Sequence, residues 1–122
     1  MIKLDDRGLF PAIAQNAETG EVLMLGWMSP GSLKRTLESG GVWFYSRSRA
    51  DLWHKGEMSG NYMRVRSVVP DCDGDVVLIK VDPDGPICHT GEPTCFFAGQ
   101  IEAMPEVEGA GAEEADMEPE ME

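Results

Sequence analysis

Two apolar runs near the N-terminus are separated by a short polar segment. Residues 12–15 and 21–27 are mostly apolar, and the segment from Asn16 to Gly20 between them has the polar side chains and the terminal glycine of a turn. This pattern predicts a β-hairpin. We therefore expect the first third of the chain to begin with two strands.

A short helix is predicted to follow the hairpin over residues 30–39. Ser29 can cap its first turn, and the proline after it suits the first helical position. Leu33 and Leu37 lie four residues apart, as on one helical face, and the pair Gly40-Gly41 can end the helix.

Three further segments have the β-branched and aromatic content of strands, at residues 42–46, 62–69 and 76–82. The polar segment 46–60 contains two glycines, and its length predicts a binding loop. The chain is therefore expected to be mostly β, in the α+β class, with one principal helix.

Length and composition predict one domain followed by an acidic tail. The chain has 122 residues and a net charge of −12, but residues 102–122 hold nine acidic groups and no Lys or Arg, so the body is near −3. We expect a domain at residues 1–102 and a disordered, solubilising tail at residues 103–122. No apolar stretch is long enough to span a membrane and residues 1–6 lack a hydrophobic signal, so we expect a cytoplasmic protein without a membrane partner.

Basic residues are concentrated in one part of this acidic chain. Half of the ten Lys and Arg residues lie within twenty positions, namely Arg47, Arg49, Lys55, Arg64 and Arg66. A local positive surface on a negative protein favours a small anionic ligand such as a phosphate ester over nucleic acid. A solvated pair of strands with surface arginines explains the same charges equally well.

The three cysteines predict a metal site. Cys72, Cys88 and Cys95 are an odd number in a chain without a signal, which favours reduced, metal-binding thiols over disulfides. Their spacing is not that of a zinc knuckle, and a buried inert thiol explains any one of them alone. The pair Phe96-Phe97 beside the last cysteine is expected to pack in the core.

Three aspartates flank the first cysteine at alternate positions. On an extended strand Asp71, Asp73 and Asp75 would share one face, with Cys72 on the other, which would place a hard-cation site beside the thiolate site. A polar turn with Asp71 and Gly74 is the alternative. An EF-hand loop is excluded because it would need Gly and Glu where this chain has Val and Asp.

Four ordered motifs together resemble phosphoribosyl-AMP cyclohydrolase of histidine biosynthesis. They are Leu52-Trp53-His54-Lys55-Gly56-Glu57-Met58-Ser59-Gly60-Asn61, Asp71-Cys72-Asp73-Gly74-Asp75, Gly85-Pro86-Ile87-Cys88-His89-Thr90-Gly91 and Thr94-Cys95-Phe96. The resemblance covers about residues 8–97. The chain differs from the usual pattern at Asn16, Ser29, Met58 and Thr94, none of which is a proposed metal ligand.

The resemblance implies hydrolytic opening of the purine ring of phosphoribosyl-AMP at the N1–C6 bond. It also implies a pseudobarrel-like domain that forms an intertwined homodimer and uses Zn²⁺ and Mg²⁺. One Zn²⁺ per subunit would be held by Cys72 of one chain with Cys88 and Cys95 of the other. Mg²⁺ would be held by Asp71, Asp73 and Asp75.

His89 is the predicted general base, and His54 is the weaker candidate. An orienting or packed role for His89 is the alternative. The predicted substrate-binding residues are Arg47, Arg49, Trp53, Lys55, Gly56, Ser59 and Gly60. Trp53 would stack on the purine, although core burial explains it equally well. A non-catalytic metal module and a thiol redox sensor are competing functions, whereas the zinc deaminase signature is absent.

Overall fold

The computed structural model describes residues 2–103 as six strands and one helix. The predicted tail, residues 103–122, lies outside this range apart from Ala103. The elements are β1 (Phe10–Asn16), β2 (Val22–Met28), α1 (Pro30–Ser39), β3 (Trp43–Ser46), β4 (Asp51–His54), β5 (Met63–Pro70) and β6 (Val77–Pro83). The predicted α+β class, mostly β with one helix, is confirmed.

Four strands form one sheet in the order β2-β1-β6-β5, and β3 pairs with β4 in a second sheet. The predicted hairpin is confirmed, because β1 and β2 are antiparallel with Phe10 opposite Met28. β1 runs parallel to β6, and β6 is antiparallel to β5. The sheet thus has one parallel pair between two antiparallel ones.

Apolar side chains from both sheets share one core. At Gly26 on β2, an added Cβ would lie 2.5 Å from the Phe44 ring of β3, so only glycine permits this close approach. Burying such apolar surface is the main force that holds the two sheets together. The buried cluster contains Phe10, Ala12, Ala14, Leu23, Met24, Met28, Val42, Phe44, Met63, Val77, Ile79, Val81 and Ile87.

Helix α1 has the predicted ends but a partly different buried face. The Ser32 amide donates to Ser29 Oγ at 3.2 Å, and Gly40 closes the helix with φ 77°. Leu33 packs against the core, but Leu37 is 62% exposed, and the fully buried side chains are those of Ser32 and Thr36. Thr36 Oγ1 accepts from the Trp43 amide at 2.9 Å, so this face joins the helix to β3 through a hydrogen bond.

Two predictions about local structure were wrong, and the structure decides between the two alternatives for segment 71–75. Segment 46–60 is not one loop, because β4 lies within it and pairs with β3, with Trp53 opposite Phe44. Segment 71–75 is a turn and not a strand, closed by a 3.0 Å hydrogen bond from the Gly74 amide to the Asp71 carbonyl. Phe96 and Phe97 are 65% and 48% exposed, so they are not core residues of this chain.

Within residues 2–103, no helix is both long and apolar enough to cross a membrane.

Candidate functional site

A cleft of about 340 Å³ lies between the β3–β4 hairpin and the segment that follows β6. It brings together seven of the residues predicted from the sequence to form the site. These are Arg49, Trp53, Lys55, Gly56, Ser59, Cys88 and His89. The lining contains one carboxylate, Glu57, the cations of Arg49 and Lys55, and the imidazoles of His54 and His89. The cleft therefore combines a thiol, two imidazoles and two cations on one surface.

Lys55 joins the two walls of the cleft. Its ammonium donates to the Ile87 carbonyl at 2.6 Å and lies 5.9 Å from the centre of the Trp53 ring. One ammonium proton is thus used to hold the Cys88 segment in place. The charge remains beside the thiols and at the cleft surface.

Gly56 allows the turn after β4 to be tight. It has φ 98°, and an added Cβ would lie 2.7 Å from the Asn61 carbonyl oxygen. A side chain here would meet backbone, which cannot move aside as a flexible side chain can. Gly60 has φ 80° but open space around it, and it does not line the cleft. Of the two predicted glycines, the structure therefore places Gly56 in the site.

The segment that carries Cys88 and Cys95 is a closed loop fixed to β2. The Cys88 amide donates to the Glu92 carbonyl at 3.0 Å, which brings the two ends of the loop together. The Cys95 amide donates to the Leu23 carbonyl at 2.8 Å, and Thr94 Oγ1 donates to the Val22 carbonyl at 2.7 Å. These bonds to the sheet hold both cysteines in fixed positions.

The two thiols have opposite pKa shifts. Hydrogen bonding from Thr90 lowers the pKa of Cys88, and the Cys95 thiol and the Lys55 charge act in the same direction. Burial raises the pKa of Cys95, and the neighbouring Cys88 raises it further. The Thr90 hydroxyl donates to Cys88 Sγ at 3.1 Å. Of the two thiols, Cys88 is therefore the one whose surroundings favour the thiolate form.

The two histidines differ in exposure and in the contacts of their rings. His89 is exposed in the cleft, and its Nδ1 lies 4.0 Å from Cys88 Sγ. His54 is stacked on Trp43, with ring centres 4.5 Å apart and planes 7° apart, and its other neighbour is Tyr62 at 4.9 Å. Both histidines line the cleft, but the His54 ring is held by two aromatic rings and so is suited to packing, whereas the exposed His89 can approach a ligand.

Cys72 lies in a separate cluster on the turn between β5 and β6. Ligand atoms of Asp71, Cys72 and Asp73 all lie within 4.8 Å of one another, and all three residues are exposed. The thiol is thus among the carboxylates, with Cys72 Sγ 3.8 Å from Asp73 Oδ1, and not on an opposite face as the strand prediction required. This is the polar turn that was the alternative.

Asp71 and Asp75 share a hydrogen bond within this turn. Burial would raise the pKa of Asp71, but hydrogen bonds from the Asp75 amide and other backbone groups outweigh it and lower the pKa. The hydrogen bond and the charge of Asp71 raise the pKa of Asp75. Carboxylate oxygens that lie close together, like those of this turn, are the kind of ligand that hard cations prefer.

One chain does not assemble the three cysteines. Across residues 2–103, the group at Asp71, Cys72 and Asp73 is the only set of three or more Cys, His, Asp or Glu ligand atoms that close together. Cys88 and Cys95 therefore supply two thiols at one place, and Cys72 supplies a third elsewhere on the surface.

Comparison with known proteins identifies the family. The family model for phosphoribosyl-AMP cyclohydrolase matches residues 24–97. The chain is 56% identical over 103 residues to a phosphoribosyl-AMP cyclohydrolase of Acidothermus cellulolyticus, covering 84% of this chain and 72% of the relative. The corresponding protein of Micrococcus luteus is 55% identical over 104 residues, covering 85% and 82%.

The chain belongs to the phosphoribosyl-AMP cyclohydrolase family. It is also 52% identical over 96 residues to a histidine biosynthesis bifunctional protein HisIE of Caldanaerobacter subterraneus, with 79% of this chain aligned to 47% of that longer protein. The similarity predicted from four motifs is therefore confirmed at the level of the family, and the chain is similar to an enzyme throughout its matched region.

The sequence prediction missed some residues that belong to this cyclohydrolase-family cleft. Thr90 contacts Cys88, and Asn61 lines the cleft and closely approaches Gly85, whose added Cβ would lie 2.5 Å from Asn61 Oδ1. A hydroxyl residue two positions after a cysteine was the available signal for Thr90. Met58, which departs from the family pattern, is 98% exposed at the cleft edge.

Proposed function

We propose that this chain is a metal-dependent cyclohydrolase that opens the purine ring of N1-(5-phosphoribosyl)-AMP in histidine biosynthesis. The N1–C6 bond is hydrolysed, giving the phosphoribosyl-formimino-AICAR ribonucleotide. The observation that carries the proposal is the cleft that unites Cys88 and His89 with Arg49, Lys55 and Trp53. Family membership supports the same reaction. The cytoplasmic location stays a prediction.

Zinc suits the thiol pair. Soft thiolates are preferred ligands of Zn²⁺, and a Cys88 thiol whose pKa is lowered by Thr90 is ready to lose its proton to the metal. Cys88 and Cys95 would hold Zn²⁺ together with one further thiolate. The bound ion would supply Lewis acidity and a lowered pKa of bound water.

The third thiolate is proposed to come from Cys72 of a second subunit. Cys72 is exposed on its turn and outside the reach of the Cys88–Cys95 pair in its own chain, as the residues described show. In a homodimer each site would then contain Cys72 of one chain and the thiol pair of its partner. Such an arrangement makes the site a property of the dimer and not of the single chain.

His89 is proposed to act as the general base. Water bonds to C6 through its oxygen, and one of its protons passes to the His89 imidazole. The N1–C6 bond then breaks with its electron pair on N1, which takes up a proton, so one water molecule is added overall. The N1 substituent makes the amidine ring cationic when protonated, which favours attack at C6.

Magnesium is proposed for the aspartate turn. Asp71 and Asp73 offer clustered oxygen atoms, and the backbone amide of Asp75 donates a hydrogen bond to Asp71 Oδ1. Oxygen ligands suit hard cations. The ion would neutralise negative charge on the substrate phosphate, and Arg49 and Lys55 would complete the anion contacts while Trp53 offers a ring face to the purine.

The activity is tested by following the absorbance of phosphoribosyl-AMP with the purified full chain. Chelator-treated protein should lose turnover and regain it when Zn²⁺ and Mg²⁺ are returned. Zinc binding without any turnover would overturn the enzyme proposal and favour the non-catalytic metal module. Turnover that is unaffected by complete removal of metal would contradict the metal dependence.

A further inference from the structure

A second cavity of about 570 Å³ adjoins the cleft and shares Trp53 with it. It lies between β2 and the β3–β4 hairpin. The turn of this hairpin supplies both cavities with a cation, because Arg47 lines the second cavity and Arg49 lines the cleft. Two arginines that are two residues apart thus line two different cavities that share Trp53.

The second cavity is suited to an anion. The Arg47 and Arg7 guanidinium groups lie 4.8 Å and 5.1 Å from the centre of the Trp27 ring, and Ser46, Ser48 and Tyr45 add hydroxyl groups. No acidic residue lines the cavity among the residues described. Arg7 is paired with Asp5 at 2.9 Å, whereas no carboxylate of residues 2–103 lies within 4.0 Å of the Arg47 side-chain nitrogens.

The proposed substrate carries two phosphates, one on each ribose, at opposite ends of a central purine. The cleft and the second cavity each contain an arginine, and they share Trp53 in their walls. We propose that the second cavity is the subsite for one of the two 5′-phosphates, with Arg47 as its principal charged ligand. This inference rests on the proposed function for the identity of the substrate.

Binding of half-substrates tests the subsite directly. AMP and ribose 5-phosphate each carry one of the two phosphates, and their affinities for the full-length protein can be measured by calorimetry. Arg47→Gln should weaken one of them by about 10- to 100-fold, as expected for loss of a charged hydrogen bond, and leave the other unchanged. Arg47→Lys should restore part of the loss because it keeps the charge.

Arg35→Gln is the matched control. The Arg35 guanidinium lies 4.9 Å from the centre of the Trp43 ring, the same kind of contact that Arg47 makes with Trp27, but it lines neither cavity. This variant should bind both fragments normally. In turnover, Arg47→Gln should raise KM for phosphoribosyl-AMP with kcat within about twofold of the unmodified protein, since uniform binding is what is removed.

Several results would overturn the subsite. Arg47→Gln would contradict it by leaving the binding of both fragments unchanged or by weakening both equally. Arg35→Gln would contradict it by weakening a fragment as much as Arg47→Gln does. The third contrary result is that the unmodified protein binds neither fragment. Failure of the proposed function gives a different result. In that case phosphoribosyl-AMP would not be turned over, while the selective effect of Arg47→Gln on one fragment would remain.

Discussion

The Cys88 thiol shows how much one neighbouring residue can change the chemistry of a site. Thr90 lies only two positions away and directs its hydroxyl at the sulfur, at 3.1 Å. A hydrogen-bond donor to sulfur stabilises the thiolate relative to the thiol, and the thiolate is the form that binds metal. In the proposed zinc site, this hydrogen bond would also withdraw electron density from the Cys88 ligand and so offset the weak Lewis acidity expected of an ion with three thiolates.

Replacing Thr90 with Val should raise the pKa of Cys88. The pKa is lowered in the folded protein chiefly by Thr90, so its loss leaves less thiolate at neutral pH. Iodoacetamide should then modify Cys88 more slowly, with the midpoint of the pH–rate curve moved to higher pH. The measurement uses chelator-treated protein whose circular dichroism is unchanged, and Thr90→Ser is the control that should keep the normal midpoint. An unchanged midpoint in Thr90→Val would contradict the role of this hydroxyl.

His89→Asn should reduce turnover by about 10²–10⁴-fold, the range for loss of a general acid or base. Zinc content should stay normal, because the exposed imidazole is not among the proposed ligands. His54→Asn is the matched control: it should lower stability by removing the stacking on Trp43 and change kcat far less. A fall in zinc affinity in step with the rate of His89→Asn would instead indicate that His89 orients a ligand.

At the scale of elements, strands were predicted correctly where apolar and β-branched residues follow one another without interruption. The prediction of strands and turns failed where polar residues interrupt such a run. β4 has only four residues, and two of them, Asp51 and His54, are polar. The apolar pair between them is too short to be recognised as a strand. Segment 71–75 alternates like a strand, but Gly74 has φ 73° and closes a turn. The buried face of α1 was predicted only in part: Leu33 packs against the core as expected, but Thr36, which accepts a hydrogen bond from β3, is buried in place of Leu37.

The site was predicted in its residues but not in its arrangement. Motifs identify side chains with suitable chemistry, and seven of the predicted residues do line one cleft. Arg47, which was predicted together with them, lines the second cavity instead. This separation of Arg47 from Arg49 depends on the turn at 46–51, whose geometry cannot be read from a short sequence pattern. The exposure of Phe96 and Phe97 was likewise unpredictable from composition, because aromatic residues are usually buried.

Gly56 and Gly60 provide a test of the turn that shapes the cleft. Gly56→Ala places a Cβ against the Asn61 backbone at 2.7 Å in addition to the strain of φ 98°, and should cost at least about 3 kcal/mol of the free energy of unfolding. Gly60→Ala has the strain of φ 80° without the clash and should cost about 1–2 kcal/mol. Urea denaturation measures both. Equal losses of unfolding free energy would show that backbone strain alone, and not the close approach to residue 61, makes glycine necessary at position 56.

At the scale of the whole molecule, the fold separates the parts of the proposed metal site. The loop with Cys88 and Cys95 is fixed to β2, whereas Cys72 lies on the turn between β5 and β6. The shared buried cluster holds these regions in place, so a large movement that joined the three thiols in one chain would break core packing. A second subunit can supply the missing ligand without any such change.

Mixing inactive subunits tests this shared centre most directly. Cys72→Ala and Cys88→Ala proteins should each lack phosphoribosyl-AMP turnover. After subunit exchange, a mixed dimer has one site with both defects and one with neither, so about a quarter of the normal activity should return. The control mixture of Cys88→Ala with Cys95→Ala should stay inactive, because both lost thiols belong to the same half of every site. Demonstrated exchange without recovery in the first mixture, or equal recovery in the control, would contradict a catalytic centre shared between two chains.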